Sequence, residues 1–312
     1  MGMFALLILN CGCSPERLSR TFFAADTVCT ITLFNSSGDT LDSAVNTCNE
    51  LFTMFDRYNT DSALFELNKN SYLKNAPNEL TDIIKTALEY SRQSNGLFDP
   101  TICAVSSLWN FKGTSLPDPK KIRSAIKSVD YKNCVLNNDN ITLNNNAKID
   151  LGAIAKGYVA DKVADQLLND GVNEAILNLG GNVTVIGNNN GQKYSIGIKK
   201  PFAEDNITTV KVKNKSVVTS GIYQRYISYN GEYYHHLLDP DTGMPMQNDL
   251  NSVTIIANSA TEADALSTIC FLLGKTKGLN FINSLENTEA VFIDRSNSLY
   301  FSNGLTQTGI CE

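Results

Sequence analysis

Residues 235–243 have the sequence HHLLDPDTG and hold both histidines of the 312-residue chain. An imidazole has an unperturbed pKa near neutral pH, so histidine is the usual proton-transfer group of enzymes. The DPDTG part predicts a turn, because proline fixes φ, glycine permits positive φ, and Asp and Thr cap the backbone locally. We therefore predict a strand over residues 233–238 that ends in a rigid turn, with His236 just before it. A surface turn that carries two exposed histidines is the alternative interpretation.

Residues 149–158, with the sequence IDLGAIAKGY, predict a strand that passes through small residues into a helix. Gly152 and Ala153 permit the backbone to approach a ligand closely. Lys156 falls on the first helical turn, where a cation opposes the helix dipole but suits a diphosphate. A tight strand-to-helix turn flanked by Gly152 and Gly157 is the purely structural alternative.

A predicted helix over residues 261–273 places Asp264 and Thr268 four residues apart, so both face the same way, with Ser267 adjacent. Carboxylate and hydroxyl oxygens are hard ligands that suit Mg²⁺. On this interpretation Asp264 lies near the protein surface. The structural alternative is an ordinary helix start in which Asp264 interacts with the helix dipole and Thr268 packs inward.

Three further segments offer side chains or a turn that could contact a ligand. Tyr58 and the segment FDPT at residues 98–101 supply aromatic and polar side chains, whereas Trp109 fits an ordinary core position. The GGN turn at residues 180–182 requires nothing more than a hairpin. Neither a Walker motif nor a Rossmann glycine motif is present in the sequence, so phosphate recognition would rest on a metal and on loops.

Apolar spacing along the chain predicts an α+β protein with mixed or antiparallel sheets. Predicted helices cover residues 41–55, 61–67, 80–94, 117–129, 156–168, 261–273 and 277–284. Predicted strands cover residues 27–34, 134–136, 141–143, much of 175–238, 252–257 and a hairpin that ends the chain. Helices and strands are partly segregated, which favours α+β over a parallel sheet.

Composition indicates a globular protein, with 42% hydrophobic and 19% charged residues. A net charge of −6 argues against a nucleic-acid partner, because phosphate binding needs clustered Lys and Arg. Six of the eight cysteines follow residue 13, and none of these six forms a C-x-x-C pair, which argues against a zinc site. Most of them have apolar neighbours and are expected to be buried.

The first twenty residues differ from the rest of the chain. An apolar run over residues 4–9 is followed by Cys11, Gly12 and Cys13, a pattern typical of the end of a bacterial lipoprotein signal. Either cysteine could be the lipidated one, and the positively charged start of a signal is missing. A short N-terminal strand of a cytosolic protein is the alternative. We expect residues 1–20 to form the signal, anchor and tether, and residues 21–312 to form the functional domain.

Five of these segments, in this order, resemble the ApbE family of FAD:protein FMN transferases: residues 98–101, 149–158, 178–182, 235–243 and 260–268. The resemblance runs from about residue 21 to about residue 294. It implies a T-fold-like α+β architecture of two intimate subdomains. It also implies Mg²⁺ as cofactor, FAD as substrate, and transfer of FMN to a Thr or Ser hydroxyl of an acceptor protein with release of AMP.

The resemblance assigns roles to particular positions. His236 is implied as the catalytic base. The implied Mg²⁺ ligands are the Ala153 carbonyl, Asp264, Ser267 and Thr268. The implied FAD contacts are Tyr58, Phe98, Asp99, Thr101, Asp150, Lys156, Gly180, Gly181, Asn182, Ser220, Gly221, Arg225, Leu238 and Thr242. The chain departs from the family at Ser267, where many members have a second Asp, and at Ile222, where a polar residue is frequent.

The family also implies the partners and the location. Its acceptors are FMN-binding subunits of sodium-pumping NADH:quinone reductase, of Rnf-type complexes and of related reductases. Its members are commonly exported, which fits a lipid-anchored protein outside the cytoplasm. Two alternative functions remain at this point. One is an Mg²⁺-dependent FAD pyrophosphatase that yields FMN and AMP, and the other is a non-catalytic FAD-binding lipoprotein.

Overall fold

The elements of the fold are taken from a computed structural model, which describes residues 16–189 and 191–308. The strands are β1 (Arg17–Ala24), β2 (Thr27–Phe34), β3 (Tyr72–Leu73), β4 (Cys134–Asn137), β5 (Asn140–Leu143), β6 (Ala175–Leu179), β7 (Asn182–Ile186), β8 (Tyr194–Lys199), β9 (Asn206–Val212), β10 (Lys215–Gly221), β11 (Tyr226–Tyr229), β12 (Glu232–His235), β13 (Leu250–Ala257), β14 (Glu289–Asp294) and β15 (Leu299–Phe301). The helices are α1 (Gly38–Met54), α2 (Ala63–Asn70), α3 (Asn78–Gln93), α4 (Cys103–Ser106), α5 (Pro119–Ala125), α6 (Ala155–Asn169), α7 (Ala260–Leu273), α8 (Lys275–Ile282) and α9 (Asn303–Thr308).

A large antiparallel sheet organises these elements, with the strand order β1-β2-β6-β7-β10-β13-β14-β15. Smaller antiparallel sheets are β3-β5-β4, β8-β9 and β11-β12. Helices α1 and α6 pack against each other, and α7 packs on α6, β10 and β13. The predicted α+β class with antiparallel sheets is confirmed.

Helix α7 is buried on nearly every side, and within residues 260–272 only Glu262 escapes full burial. Its sequence is apolar around the whole helix, and such a helix belongs inside a protein. The prediction that Asp264 lies near the surface is therefore wrong, since the residue is 3% exposed. Asp264, Ser267 and Thr268 all lie in the interior, where each polar group needs a partner.

A carboxylate on α6 fixes the start of α7. Asp161 accepts hydrogen bonds from the Ala260 amide at 2.7 Å, from the Ser259 hydroxyl at 2.7 Å, and from both the amide and the hydroxyl of Thr261. An anion at a helix N-terminus satisfies the free amides and interacts favourably with the helix dipole. The clamp sets the relative position of α6 and α7, which carry the polar residues of interest.

A small apolar cluster supports the β11–β12 hairpin and the turn that follows it. Val105, Trp109, Ile122, Ile227 and Leu238 are its buried members. This cluster is separate from the main core beneath the sheet and from the cluster under the β8–β9 hairpin. The histidine segment is therefore positioned by contacts with the region around α4 and α5.

Several boundaries differ from the predicted ones. Strand β1 begins at Arg17, four residues before the expected start of the domain at residue 21. The final hairpin does not end the chain, because α9 follows β15. Strand β12 stops at His235, whereas the prediction extended it to residue 238. The N-terminal signal and the cysteines at positions 11 and 13 lie outside the described residues.

Five cysteines in the described part of the chain are free, and all five are buried, as predicted for most of them: Cys29, Cys48, Cys103, Cys134 and Cys270. Burial raises the pKa of the Cys48 and Cys134 thiols to about 12, so both stay protonated and unreactive near neutral pH. None of the helices in residues 16–308 that the structure describes has both the length and the apolar character needed to cross a membrane.

Candidate active site

The junction of α6 and α7 holds the first part of the site. Asp264 accepts a hydrogen bond from the Gly157 amide at 3.0 Å, and its other carboxylate oxygen lies 3.7 Å from the Lys156 ammonium. Lys156 sits on the first turn of α6, as predicted. A buried carboxylate, a half-buried cation and a helix N-terminus are thus held together within one hydrogen-bonded unit.

Gly157 permits the two helices to approach this closely. A Cβ at this position would lie 2.2 Å from the Ala260 carbonyl oxygen and 2.8 Å from the Asp264 Cβ. The Gly157 amide donates to Asp264 rather than to Ala153, the residue four positions earlier that would accept it in a regular helix. The Ala153 carbonyl is therefore left without its helical partner and is available to another group.

Three hydroxyl groups lie close together near Asp264 on α7, those of Ser220, Ser267 and Thr268. The Oγ of Ser220, near the end of β10, lies 2.7 Å from the Ser267 Oγ and 3.3 Å from the Thr268 Oγ1. Ser267 also donates to the Asp264 carbonyl oxygen at 2.8 Å, so its hydroxyl is already engaged within the protein. Strand β10 therefore brings Ser220 and Gly221 to the predicted metal site.

The turn before β7 lies at the same end of the sheet, because Val183 of β7 pairs with Val217 of β10. Gly180 and Gly181 both have positive φ, and a Cβ on Gly180 would lie 2.4 Å from Thr27. The Asn182 side-chain amide nitrogen is buried and makes no hydrogen bond to a described residue. An unpaired buried donor is costly, so this amide is a ready partner for a ligand.

Residues 98–101 organise a loop within the protein. Phe98 and Thr101 are buried, and the Asp99 carboxylate accepts hydrogen bonds from the Thr101 amide, the Thr101 hydroxyl and the Tyr131 amide. Burial raises the pKa of Asp99 to about 6, although these hydrogen bonds oppose the shift. The Pro100 carbonyl accepts from the Asp150 amide at 2.8 Å. These side chains are engaged with one another, so the geometry supports a positioning role through Asp150.

Asp150 begins the turn that leads to Ala153 and α6. One of its carboxylate oxygens accepts from the Gly152 amide at 2.9 Å, and the other accepts from the Ser106 hydroxyl at 2.9 Å. Arg57 forms an ion pair with the second oxygen at 3.0 Å. Arg57 was not among the residues predicted for the site, and it lies directly before the predicted residue Tyr58.

The turn that follows the two histidines, residues 239–243 (the histidine turn), is held by hydrogen bonds at both ends. Asp239 accepts from the Thr242 hydroxyl at 3.0 Å and from the Asp241 amide at 2.9 Å, while its own carbonyl accepts from the Gly243 amide. The Trp109 indole donates to the Gly243 carbonyl at 3.0 Å. Trp109 is a core residue, as predicted, and it also holds this turn. The exposed Thr242 closes the turn, and Leu238 lies in the small apolar cluster.

His236 follows β12 and is half-buried. Its backbone amide donates to the Arg225 carbonyl at 3.1 Å, and its Nδ1 lies 3.2 Å from the same oxygen. A carbonyl can only accept, so this contact places the proton on Nδ1 and leaves the Nε2 lone pair free. Burial, together with the charges of Arg225 and Lys156, lowers the pKa of His236 well below its usual value. His236 is therefore a neutral imidazole with one free acceptor nitrogen.

His235 has the opposite environment. It is buried, its ring packs edge-on against Phe271 of α7 with centroids 5.5 Å apart, and neither ring nitrogen has a hydrogen-bond partner of normal geometry among the described residues. Burial lowers the pKa of His235 to about 4. The two histidines point to different surroundings, and only His236 offers a nitrogen at the surface.

The chain is similar to a known protein family and to several named proteins. The family model described as "ApbE family" matches residues 25–292. The chain belongs to the ApbE family. It is 35% identical to an FAD:protein FMN transferase of Klebsiella pneumoniae over 227 residues, which cover 70% of each chain. It is 34% identical to a protein of the same name from Treponema pallidum, over 75% of this chain and 71% of that one.

A solved structure shares the whole fold. The ApbE protein of Thermotoga maritima is 31% identical and superposes with a TM-score of 0.85, over 94% of this chain and 99% of that chain. The predicted membership and the predicted fold class are both confirmed. The comparisons name activities for these relatives and do not assign roles to individual residues of this ApbE chain.

The predicted metal ligands of this ApbE chain fit a hard divalent cation. Asp264 supplies a buried carboxylate, Thr268 adds a hydroxyl one turn along α7, and the Ala153 carbonyl, four residues before Gly157, is not used by the Gly157 amide. Within residues 16–189 and 191–308, the structure shows no group of three His, Cys, Asp or Glu side chains that could hold a metal. A soft or multi-carboxylate metal centre is therefore not indicated there, whereas Mg²⁺ suits one carboxylate plus neutral oxygens and phosphate.

The fold brings six of the predicted site residues together at two places. Lys156, Asp264, Thr268 and Ser220 meet at the α6–α7 junction, and Arg225 and His236 meet at the β11–β12 hairpin. The charge of Lys156 contributes to the lowered pKa of His236, so the two places lie within electrostatic range of each other. Sequence reasoning missed Arg57 and Asp161, because their partners are distant in sequence and no local pattern marks them.

Proposed function

We propose that this ApbE-family protein is an FAD:protein FMN transferase. It would move the FMN part of FAD to a Thr or Ser hydroxyl of an acceptor protein, forming a phosphoester and releasing AMP. The observation that carries the proposal is the neutral His236, with a free Nε2, within electrostatic range of Lys156, which itself lies 3.7 Å from the buried Asp264. The names of the Klebsiella and Treponema relatives support the same reaction.

The cationic groups of the site would bind the diphosphate. Lys156 lies on the first turn of α6, and its ammonium, 3.7 Å from an Asp264 carboxylate oxygen, brings positive charge to the junction. Arg225 is exposed beside His236, and a guanidinium can hold phosphate oxygens with two hydrogen bonds. The small residues Gly152 and Ala153 let the backbone approach the same group.

Asp264, Thr268 and the Ala153 carbonyl would hold Mg²⁺, and Ser267 is a further candidate at the position where many family members have Asp. When bound, Mg²⁺ would supply positive charge that stabilises the leaving phosphate of AMP. The hydroxyl of Ser267 already contacts Ser220 and the Asp264 carbonyl, so its contribution as a ligand would require a change of partners.

His236 would act as the general base. Its Nε2 would accept the proton of the acceptor hydroxyl as that oxygen attacks the phosphorus of the FMN moiety. The bond between this phosphorus and the bridging oxygen breaks, and AMP leaves with that oxygen. The Nδ1 contact with Arg225 keeps the ring in the required tautomer. A bound diphosphate would raise the pKa of His236 from its lowered value, because a nearby anion stabilises imidazolium.

FAD contacts would come from the remaining predicted positions. The exposed ring of Tyr58, the turn with Gly180, Gly181 and the unpaired Asn182 amide, and the Ser220–Gly221 segment all offer groups to a flavin nucleotide. Phe98, Asp99 and Thr101 would act by holding Asp150 in place. Leu238 and Thr242 would shape the histidine turn.

The acceptor and the location are part of the same proposal. We propose FMN-binding subunits of sodium-pumping NADH:quinone reductase, of Rnf-type complexes or of related reductases as acceptors. We also propose that the protein is lipid-anchored outside the cytoplasm through Cys11 or Cys13. Labelling of cells with a fatty-acid analogue tests the anchor, since a variant with both cysteines changed to Ser should lose the label. Equal labelling of both proteins would contradict it.

The test of the reaction is intact-mass measurement of an acceptor domain after incubation with this protein, FAD and Mg²⁺. The proposal predicts that the acceptor gains the mass of one FMN less one water, with an equal amount of AMP released. An acceptor variant with its Thr or Ser changed to Ala is the control and should gain nothing. Formation of FMN and AMP with an unmodified acceptor would indicate a pyrophosphatase. FAD binding without any AMP would indicate a non-catalytic flavin-binding protein.

A further inference from the structure

We propose that Arg57 is a positioning residue for FAD binding, which holds Tyr58 and the Asp150 turn in one fixed arrangement. The proposal rests on the proposed function for the identity of the ligand. Its basis is a buried guanidinium that connects three segments distant in sequence: the α1–α2 connection, helix α4 and the turn before α6.

The first set of contacts joins Arg57 to helix α4 and to Asp150. The Arg57 side chain is 14% exposed, and its Nη1 lies 2.8 Å from the Ser106 hydroxyl, 3.1 Å from the Cys103 Sγ and 3.0 Å from an Asp150 carboxylate oxygen. The Ser106 hydroxyl donates to the same Asp150 oxygen. A buried charge persists only when it is paired and hydrogen-bonded, and Asp150 provides that pairing.

The second set of contacts joins Arg57 to its neighbour Tyr58. The Arg57 Nη2 donates to the Tyr58 hydroxyl at 2.6 Å, and the guanidinium carbon lies 4.7 Å from the centre of the Tyr58 ring. Yet Tyr58 is 70% exposed, so the fold gains little apolar burial from it. A large aromatic ring held in one orientation at the surface is suited to stack on a planar ligand.

The geometry of the guanidinium explains why arginine is needed here. Arg57 uses one nitrogen for Asp150 and α4 and the other for Tyr58, which a single ammonium on a flexible chain cannot reproduce. Asp150 extends this set of contacts to the turn before α6, because its other carboxylate oxygen accepts a hydrogen bond from the Gly152 amide. A change at Arg57 therefore affects both the ring of Tyr58 and the turn that presents Ala153 and Lys156.

The test is a double-mutant cycle of Arg57→Lys and Tyr58→Phe, read out by the FAD dissociation constant. Flavin fluorescence during titration gives the affinity and also reports stacking on the ring. Arg57→Lys should weaken FAD binding and raise KM on the order of tenfold, the size of one charge-assisted hydrogen bond, while kcat stays within about twofold. The double variant should be weakened by less than the product of the two single effects, since both remove the same contact.

Two further proteins keep the result interpretable. Arg20→Met removes an exposed arginine that pairs with Asp42 on the surface, and it should leave FAD affinity unchanged. Arg57→Met removes the charge altogether and should weaken FAD binding more than Arg57→Lys, with thermal unfolding as the check on folding. Wild-type affinity in both Arg57→Lys and Tyr58→Phe, or multiplicative effects in the double variant, would overturn the role of Arg57. Absence of FAD binding by the wild-type protein would overturn the proposed function itself.

Discussion

The α6–α7 junction and the β11–β12 hairpin contribute to the candidate site in different ways. The junction is buried, and its polar groups are held by helix amides, by the Asp161 clamp and by one another. The hairpin is short, partly exposed and supported by a small separate cluster around Trp109. On the proposed function, the junction supplies pre-organised binding groups, whereas the hairpin supplies the reactive His236 with Arg225 beside it as a further phosphate contact. Binding and chemistry should therefore be separable by mutation.

The largest loss of activity is expected from a substitution at the α6–α7 junction. Asp264→Asn keeps the shape of the side chain and the hydrogen bond from Gly157, but it removes the charge that a metal needs. We expect turnover in the presence of Mg²⁺ to fall below detection, with FAD affinity also reduced. Asp165→Ala, an exposed carboxylate on α6, is the matched control. Full activity of Asp264→Asn with Mg²⁺ as the only metal would contradict the assignment.

A loss confined to the chemical step is expected at the hairpin. His236→Ala should lower FMN transfer by about 10²- to 10⁴-fold, the usual contribution of a general base, while FAD binding is kept. His235→Ala should cost far less activity, because its ring is buried against Phe271. Steady-state rates with saturating FAD measure both effects. The reverse order of the two effects would remove His236 from the mechanism.

Close packing at the junction should make it intolerant of a single methyl group. In Gly157→Ala, the added Cβ meets the backbone of Ala260, which cannot move without shifting α7. We expect a loss of unfolding free energy of about 2 kcal/mol or more, together with reduced FAD affinity. Chemical denaturation measures the loss, and Gly231→Ala in the turn between β11 and β12, where a Cβ meets nothing within 4 Å, is the comparison. Its φ is +81°, so that variant should cost only the backbone strain.

Equal stability of the two glycine variants would show that the junction is not tightly packed. The distinction between the two regions would then lose its physical basis.

The smallest effect concerns the dependence of stability on pH. The pKa of His235 falls from 6.5 to about 4 on folding, so the unfolded chain binds more protons between these pH values. This contribution to stability is present above pH 6.5 and is lost as the pH falls towards 4. His235→Leu should reduce the slope of the stability profile in this window without removing it, because the lowered pKa of His236 acts in the same direction, as measured by denaturation at several pH values. An unchanged slope would show that His235 is not the group responsible.

Local patterns predicted the elements well, and they predicted the site only where its residues share one segment. Helix α6 was predicted to within one residue at each end, and Asp264 and Thr268 share one face of α7, because helical spacing is a short-range rule. Burial of α7 was missed, although its sequence is apolar all round. The Arg57–Asp150 contact depends on three segments that only the complete fold brings together.

The end of β12 shows a different limit of sequence reasoning. The turn residues placed the end of the predicted strand at residue 238, but the strand stops at His235, the backbone of His236 bonds to Arg225, and the chain then enters the Asp239 turn. The turn hydrogen bonds therefore begin to shape the backbone earlier than the turn residues alone indicate. The position of His236 before the turn was nevertheless predicted, since the turn residues themselves are clear in the sequence.

The separation of binding from chemistry is tested most directly by FAD titration of three proteins in the presence of Mg²⁺. Wild type and His236→Ala should bind FAD with the same dissociation constant, whereas Asp264→Asn should bind clearly more weakly. If His236→Ala loses FAD affinity while Asp264→Asn keeps it, the assignment of binding to the junction and of chemistry to the hairpin is contradicted.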